Sequence, residues 1–363
     1  MSERSLNITD INCPDRGSQT YFVVVTILAC LLNFILFKLI QKESSASLKP
    51  FQIVLYTSCY VNAISALLQF STQARPSTLG SKEILTMNLD GPLPALMEDF
   101  TLFHRGNLAY FVIIEYFGCY ISLIYGLLPC FFRYATICWS YTLSARQYML
   151  LFVFVLLLSL VQSTVICYLS VVHYEQNIEL IEVIPNDKCT RFVPQFNTNN
   201  KATPLQIRVF LMWIVIQYFF EYSFVVVIFF MLCIYISLRR QAQLMEYSRA
   251  QIQLTWTIGV QTAIPIVCVH MPMIISFMGA NFNPAWSSFG YQMLFTCYSI
   301  GPFLSPLVAI YFIERYRLSV QYLICKGISF VPGMKHWSNK INIEHSIFIR
   351  PSQKHLKSTT HPV

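Results

Sequence analysis

Seven continuous apolar runs, each about twenty residues or longer, constrain this chain more than any motif it carries. They cover about Tyr21 to Leu39, Phe51 to Gln73, Gly106 to Phe132, Tyr148 to Val172, Gln206 to Leu238, Leu254 to Gly279 and Ser288 to Ile313. A helix rising about 1.5 Å per residue needs about 20 residues to cross the hydrocarbon of a bilayer. Barrel strands would instead alternate polar and apolar residues over about ten positions. With 55% of residues hydrophobic and only 12% charged, one core buried in water cannot absorb the apolar surface. In lipid every backbone polar group must be satisfied internally, which helices do. The expected fold is all-α: a seven-transmembrane helical bundle.

Lysine and arginine set its direction. With the N-terminus outside, 16 of the 25 cationic residues fall on the inner side, among them Lys38, Lys42, Lys49, Arg146 and Arg249. Most of the 17 acids then fall outside. Basic residues collect on the cytoplasmic side of membrane proteins, so the chain reads as an extracellular segment over 1–20, a helical domain over 21–313 and a cytoplasmic tail over 314–363. The net charge of +8 is therefore an orientation signal and not a nucleic-acid footprint. No cleavable leader is expected, the first span serving as the insertion signal. Asn7-Ile8-Thr9 is a glycosylation sequon in the segment placed outside. Cys13 and Cys189 are the two cysteines of the outer segments and could pair in an oxidising exterior.

The inner end of the third span reads Phe131-Phe132-Arg133-Tyr134. Rhodopsin-like receptors carry an acid-Arg-Tyr triplet at this point; here Phe132 replaces the acid. Arg133 and Tyr134 could meet a docked G-protein helix, or Arg133 could snorkel to the cytoplasmic surface. Arg239 and Arg240 add charge to the same face. The sixth span holds Pro265 and Pro272, and the seventh holds Pro302 and Pro306. Proline deletes a helical hydrogen bond and kinks the chain, so these four are hinges or static bends.

Acids inside a membrane are costly and mark function by default. There are two, Glu115 in the outer half of the third span and Glu221 in the fifth. At compatible depths lie Tyr110 and Cys119, Tyr218, His270 and Met273, and Tyr291, Gln292 and Thr296. These residues could line one pocket open to the outside, where bundles usually hold ligands. They could equally be polar contacts between helices. The stretch from Arg317 to Ile324 could lie along the inner membrane face as a short helix, with Cys325 lipidated or free.

Leu48-Lys49-Pro50 before the second span, the Gln261, Pro265 and Pro272 spacing, and the Pro302, Pro306, Tyr316-Arg317 ending together resemble nematode serpentine chemoreceptors of the Str superfamily, class d or class str. The resemblance covers nearly the whole membrane region. It implies a G-protein-coupled chemosensory receptor at the plasma membrane of a sensory cilium. The partners it implies are a heterotrimeric G protein, a small odorant or metabolite and membrane lipid, and it leaves room for a homo- or heterodimer. No cofactor is expected: the seventh span has no lysine to anchor a retinal Schiff base. No phosphate loop, nucleophile elbow or metal spacing points to an enzyme. The alternative is a seven-helix ligand-gated cation channel of the insect chemoreceptor type, whose N-terminus is inside, against the charge distribution.

Overall fold

The structure is a computed structural model that describes residues 16–43, 49–79, 84–89, 91–98, 111–176, 192–194, 204–242, 249–272, 274–275 and 284–328. Its helices are α1 (Arg16–Glu43), α2 (Gln52–Thr72), α3 (Pro92–Glu98), α4 (Phe111–Tyr125), α5 (Leu127–Cys138), α6 (Ala145–Gln176), α7 (Pro204–Ala242), α8 (Arg249–Pro265), α9 (Pro284–Phe312) and α10 (Glu314–Ile328). Among the described residues six helices are long and apolar enough to cross a membrane, the third being α4 and α5 run together over Ile113–Cys138. α9 supplies the seventh crossing, and α10 then turns away from it by 98°. That turn sets α10 nearly at right angles to the seventh span, and the helix is longer than the Arg317 to Ile324 stretch expected for it.

Several helix limits have local causes. Ser144 and Gln147 form a reciprocal cap ahead of α6: Gln147 N–H donates to Ser144 Oγ at 3.3 Å, and Ser144 N–H to Gln147 Oε1 at 2.9 Å. This capping box starts the helix three residues before the apolar run begins. The break between α4 and α5 falls at Gly126, four residues after Ser122, and Pro129 explains it: proline has no N–H for the Tyr125 carbonyl. At 39 residues α7 is longer than a bilayer requires.

The all-α expectation holds for the bundle, with one addition outside the spans. β1 (Ala74–Leu79), β2 (Ile84–Leu89) and β3 (Phe192–Pro194) make an antiparallel sheet in the order β1-β2-β3. It joins the outer connection after α2 to the one after α6. Pro76 lies on β1, an edge strand, where its missing N–H is tolerated. Gly91 tucks the chain back under α2: its N–H donates to the Thr72 carbonyl at 2.9 Å. A Cβ there would stand 2.2 Å from the Ser71 carbonyl oxygen, so only glycine fits.

α1 packs on α2 and α9, α2 on α4, and α8 on α9, while α4 and α5 run through the middle and touch α6, α7 and α8. Lipid removes the hydrophobic drive between helices, so packing and interhelical hydrogen bonds hold the bundle together. Leu150, Val215 and Phe229, each more than half exposed, point outward toward lipid. The inner half packs around Leu36, Ile40, Phe51, Phe132, Tyr148 and Tyr316. The outer half packs around Phe111, Tyr120, Ile124, Val269 and Tyr298.

Candidate functional site

At the inner face the decisive residue is Arg133 on α5. It is fully buried at 0% exposure, so it does not snorkel. Its Nε donates to Thr255 Oγ1 on α8 at 2.9 Å, and its guanidinium lies 4.8 Å over the Phe51 ring. Phe132, where an acid was absent from the triplet, packs edge-on against both Phe51 and Tyr148. Tyr134 stacks on Phe230 of α7 at 4.8 Å and meets Trp139 edge-on. Arg239 and Arg240 stand exposed at the end of α7.

A second contact holds the inner end of α8. Gln253 Nε2 donates to Glu314 Oε2 at 3.2 Å, and the Glu314 N–H donates to Gln253 Oε1 at 3.3 Å. Thr255 and Gln253 thus tie the same turn of α8 to α5 on one side and to the start of α10 on the other. Sequence reasoning passed over Thr255, Gln253 and Glu314 because none is unusual at the edge of a span.

The prolines fall differently in spans six and seven. Pro265 ends α8 and is followed by a π-helical turn over Ile266–His270. Such a turn inside a helix is a recognised site of bending. Pro302 and Pro306 both lie inside α9. Pro306 has no N–H for the Pro302 carbonyl, and Asn33 of α1 supplies the missing donor: its Nδ2 reaches that oxygen at 3.0 Å. Ser305 gathers two further helices. Its Oγ accepts from Asn62 Nδ2 at 2.9 Å and from Gln261 Nε2 at 3.2 Å, and Gln261 also donates to the Ser305 carbonyl at 2.8 Å.

Between these groups lies a cavity of about 50 Å³, bounded by α2, the α4–α5 junction, α8 with its π turn, and α9. Pro265 and Pro302 form part of its wall. Of the ten residues expected to line a ligand pocket, the five whose side chains are described, Glu115, Cys119, Tyr218, His270 and Thr296, do not line it. It lies deeper: Ser122 on its wall is seven residues below Glu115, about 10 Å along the helix.

The ten expected residues disperse as follows. Glu115 is buried and accepts a hydrogen bond from Thr72 of α2. Cys119 follows one turn below it and is half-buried. His270 is buried in the π turn, its ring 5.4 Å from that of Phe224. Thr296 is exposed, and its carbonyl accepts from Tyr21 of α1 at 3.1 Å. Tyr218 does not face the bundle: it is 54% exposed and pairs with Tyr222, itself 63% exposed. The reason is helical phase, since Ser223, Val227 and Ile234 turn the opposite side of α7 inward. The side chains of Glu221, Tyr291 and Gln292, together with Tyr110, Met273, Asn7, Cys13 and Cys189, lie outside the described residues. Tyr298, which sequence reasoning missed, packs its hydroxyl against Gly118, where a Cβ would come within 2.8 Å of it.

A family model described as serpentine type 7TM GPCR chemoreceptor Srd matches residues 18–321. Among solved structures the chain is similar to squid rhodopsin, with a TM-score of 0.52 and 13% identity over 89% of this chain and 85% of that one. At that identity the likeness shows the seven-helix fold and nothing about the ligand. No curated protein sequence matches the chain.

Proposed function

The chain belongs to the Srd family of serpentine seven-transmembrane chemoreceptors, and from that premise we propose that it binds a small odorant or metabolite on its outer side and activates a heterotrimeric G protein on its inner side. The family match decides for class d between the two classes the sequence resembles. The observation that carries the inner half of the proposal is Arg133, held at 0% exposure under α8 by its bond to Thr255. A buried guanidinium is costly unless bonded. Its place in the core makes sense for a bistable element: α8 covers the arginine in the resting state and uncovers it in the signalling state.

In this reading the ligand sits in the outer half of the bundle. Glu115, Cys119 and His270 face inward there, and Tyr110, Glu221, Met273, Tyr291, Gln292 and Thr296 are proposed to complete the site. A ligand that binds the open bundle better shifts the population toward it. The hinge is the π turn after Pro265. The inner end of α8 swings outward, the Thr255 and Gln253 contacts part, and Arg133, Tyr134, Arg239 and Arg240 meet the G protein. We place the receptor in the plasma membrane of a sensory cilium, with Asn7 glycosylated and Cys13 paired to Cys189.

The test is Arg133→Ala expressed in cells with a G-protein reporter and screened against a panel of volatiles and metabolites. Signalling should disappear while surface expression is kept. Undiminished agonist signalling removes Arg133 from the mechanism.

A further inference from the structure

Arg133 meets two different chemistries. Its Nε–H goes to Thr255 on α8, while the guanidinium as a whole lies over the ring of Phe51, 4.8 Å from the centroid. A planar guanidinium can use an N–H edge and its delocalised charge at once. Phe51 is 1% exposed and Arg133 is fully buried, so the contact is dry. A ring face attracts a cation most strongly where water is excluded.

Phe51 also departs from the local rules of helix building. It occupies the cap position ahead of α2 and makes no side-chain hydrogen bond there. Ser, Thr, Asp and Asn are favoured at that position, because their oxygens bond free N–H groups of the first turn. A phenylalanine gives that bond up, which signals a tertiary use for the ring. The ring is braced accordingly. Phe132 forms a T-shaped pair with it at 5.4 Å, and Tyr148 of α6 forms another with Phe132 at 5.6 Å. The Tyr148 hydroxyl returns to α2, lying 3.0 Å from Thr57 Oγ1. The brace is a closed circuit through α2, α5 and α6, and all three rings are buried.

We propose that Phe51 is a positioning residue that seats Arg133 in the closed bundle through a cation–π contact. Phe132, which stands in the acid's place in the triplet, braces the ring of that seat. The consequence for signalling rests on the reading that Arg133 is released toward the G protein. Release then breaks a contact to the start of α2 as well as the bond to α8. The first inner connection therefore resists opening alongside α8.

The experiment places mono-, di- and trifluorophenylalanine at position 51 of the full-length protein in lipid nanodiscs. Fluorine drains the negative face of the ring and changes its size little, so it grades the attraction to the guanidinium without opening a cavity. The thermal midpoint should fall with each fluorine, by roughly 2–4 °C in all. Ligand-free nucleotide exchange by the G protein should rise about tenfold from phenylalanine to the trifluoro ring. The same series at Phe132, whose ring pairs with Phe51 and Tyr148, controls for aromatic packing and should move the midpoint by less than half as much. In an Arg133→Gln background the Phe51 series should lose its slope. A flat midpoint series at Phe51, equal slopes at the two positions, or a slope that persists without Arg133 each overturns the proposal. A graded midpoint that depends on Arg133, with unchanged exchange, would leave the seat standing and overturn instead the reading that Arg133 is released in signalling.

Discussion

Thr255→Val isolates the bond that keeps α8 closed over Arg133. Valine keeps the shape of threonine and removes the hydroxyl that accepts from Arg133 Nε at 2.9 Å. A hydrogen bond to a charged group contributes about 1.5–3 kcal/mol. Arg133 stays fully buried in the closed bundle, so the lost acceptor is not replaced by solvent there. In the open bundle water can reach the guanidinium and the loss is small. The substitution therefore penalises one state by about 2 kcal/mol, a shift of about thirtyfold in the equilibrium between them. If the open form holds about 1% of the resting population, it rises to about a quarter. The assay is G-protein nucleotide exchange in membranes without ligand, at matched surface expression. Thr255→Ser, which restores the hydroxyl, should return basal exchange to the wild-type level. Basal exchange that stays flat or falls in Thr255→Val refutes the assignment of this contact as a closing latch.

Three further outcomes follow from the same geometry. Gln253→Leu removes both bonds to Glu314, and basal exchange should rise by about three- to tenfold, less than for Thr255→Val because the pair is only part-buried. Asn33→Leu leaves the Pro302 carbonyl without its donor and should lower the thermal midpoint in detergent, by a loss of about 1–3 kcal/mol; an unchanged midpoint would mean the carbonyl finds another partner. Gly91→Ala drives a Cβ into the Ser71 carbonyl and should sharply reduce surface expression, whereas Gly301→Ala meets nothing nearer than 3.8 Å and should be tolerated.

The seven spans were legible because lipid demands long apolar runs, a signal that survives any detail of packing. The break in the sixth span at Pro265 was legible for the same kind of reason: a missing N–H is a property of the residue itself. What the residue alone could not disclose was its partner. Asn33 reads as one polar residue in an apolar run, and only the fold shows it standing in for the N–H that Pro306 lacks. Pro129 also lacks an N–H, yet the run around it is so apolar that the break at Gly126 left no mark on the hydropathy. Arg133 looked like a surface cation because it sits at the end of a span, and depth depends on how far α8 leans over it. Tyr218 looked like a pocket residue because depth was readable and helical phase was not: α7 is apolar on nearly every side, so its sequence does not mark which face turns inward. The outer sheet was missed because β1 and β2 are short, and β1 carries Pro76 and little β-branched character.

The central claim is that α8 is a lever hinged at the turn after Pro265 and latched at its inner end. Ile252 at that end is 13 residues from Pro265, about 20 Å of helix, so a swing of about 20° carries it about 7 Å. Spin labels introduced as non-natural residues at Ile252 and at Tyr141, both exposed, report that displacement by pulsed electron resonance on the nanodisc-embedded protein. Adding nucleotide-free G protein should lengthen the distance by several ångströms. A complex that forms with the distance unchanged would contradict the account.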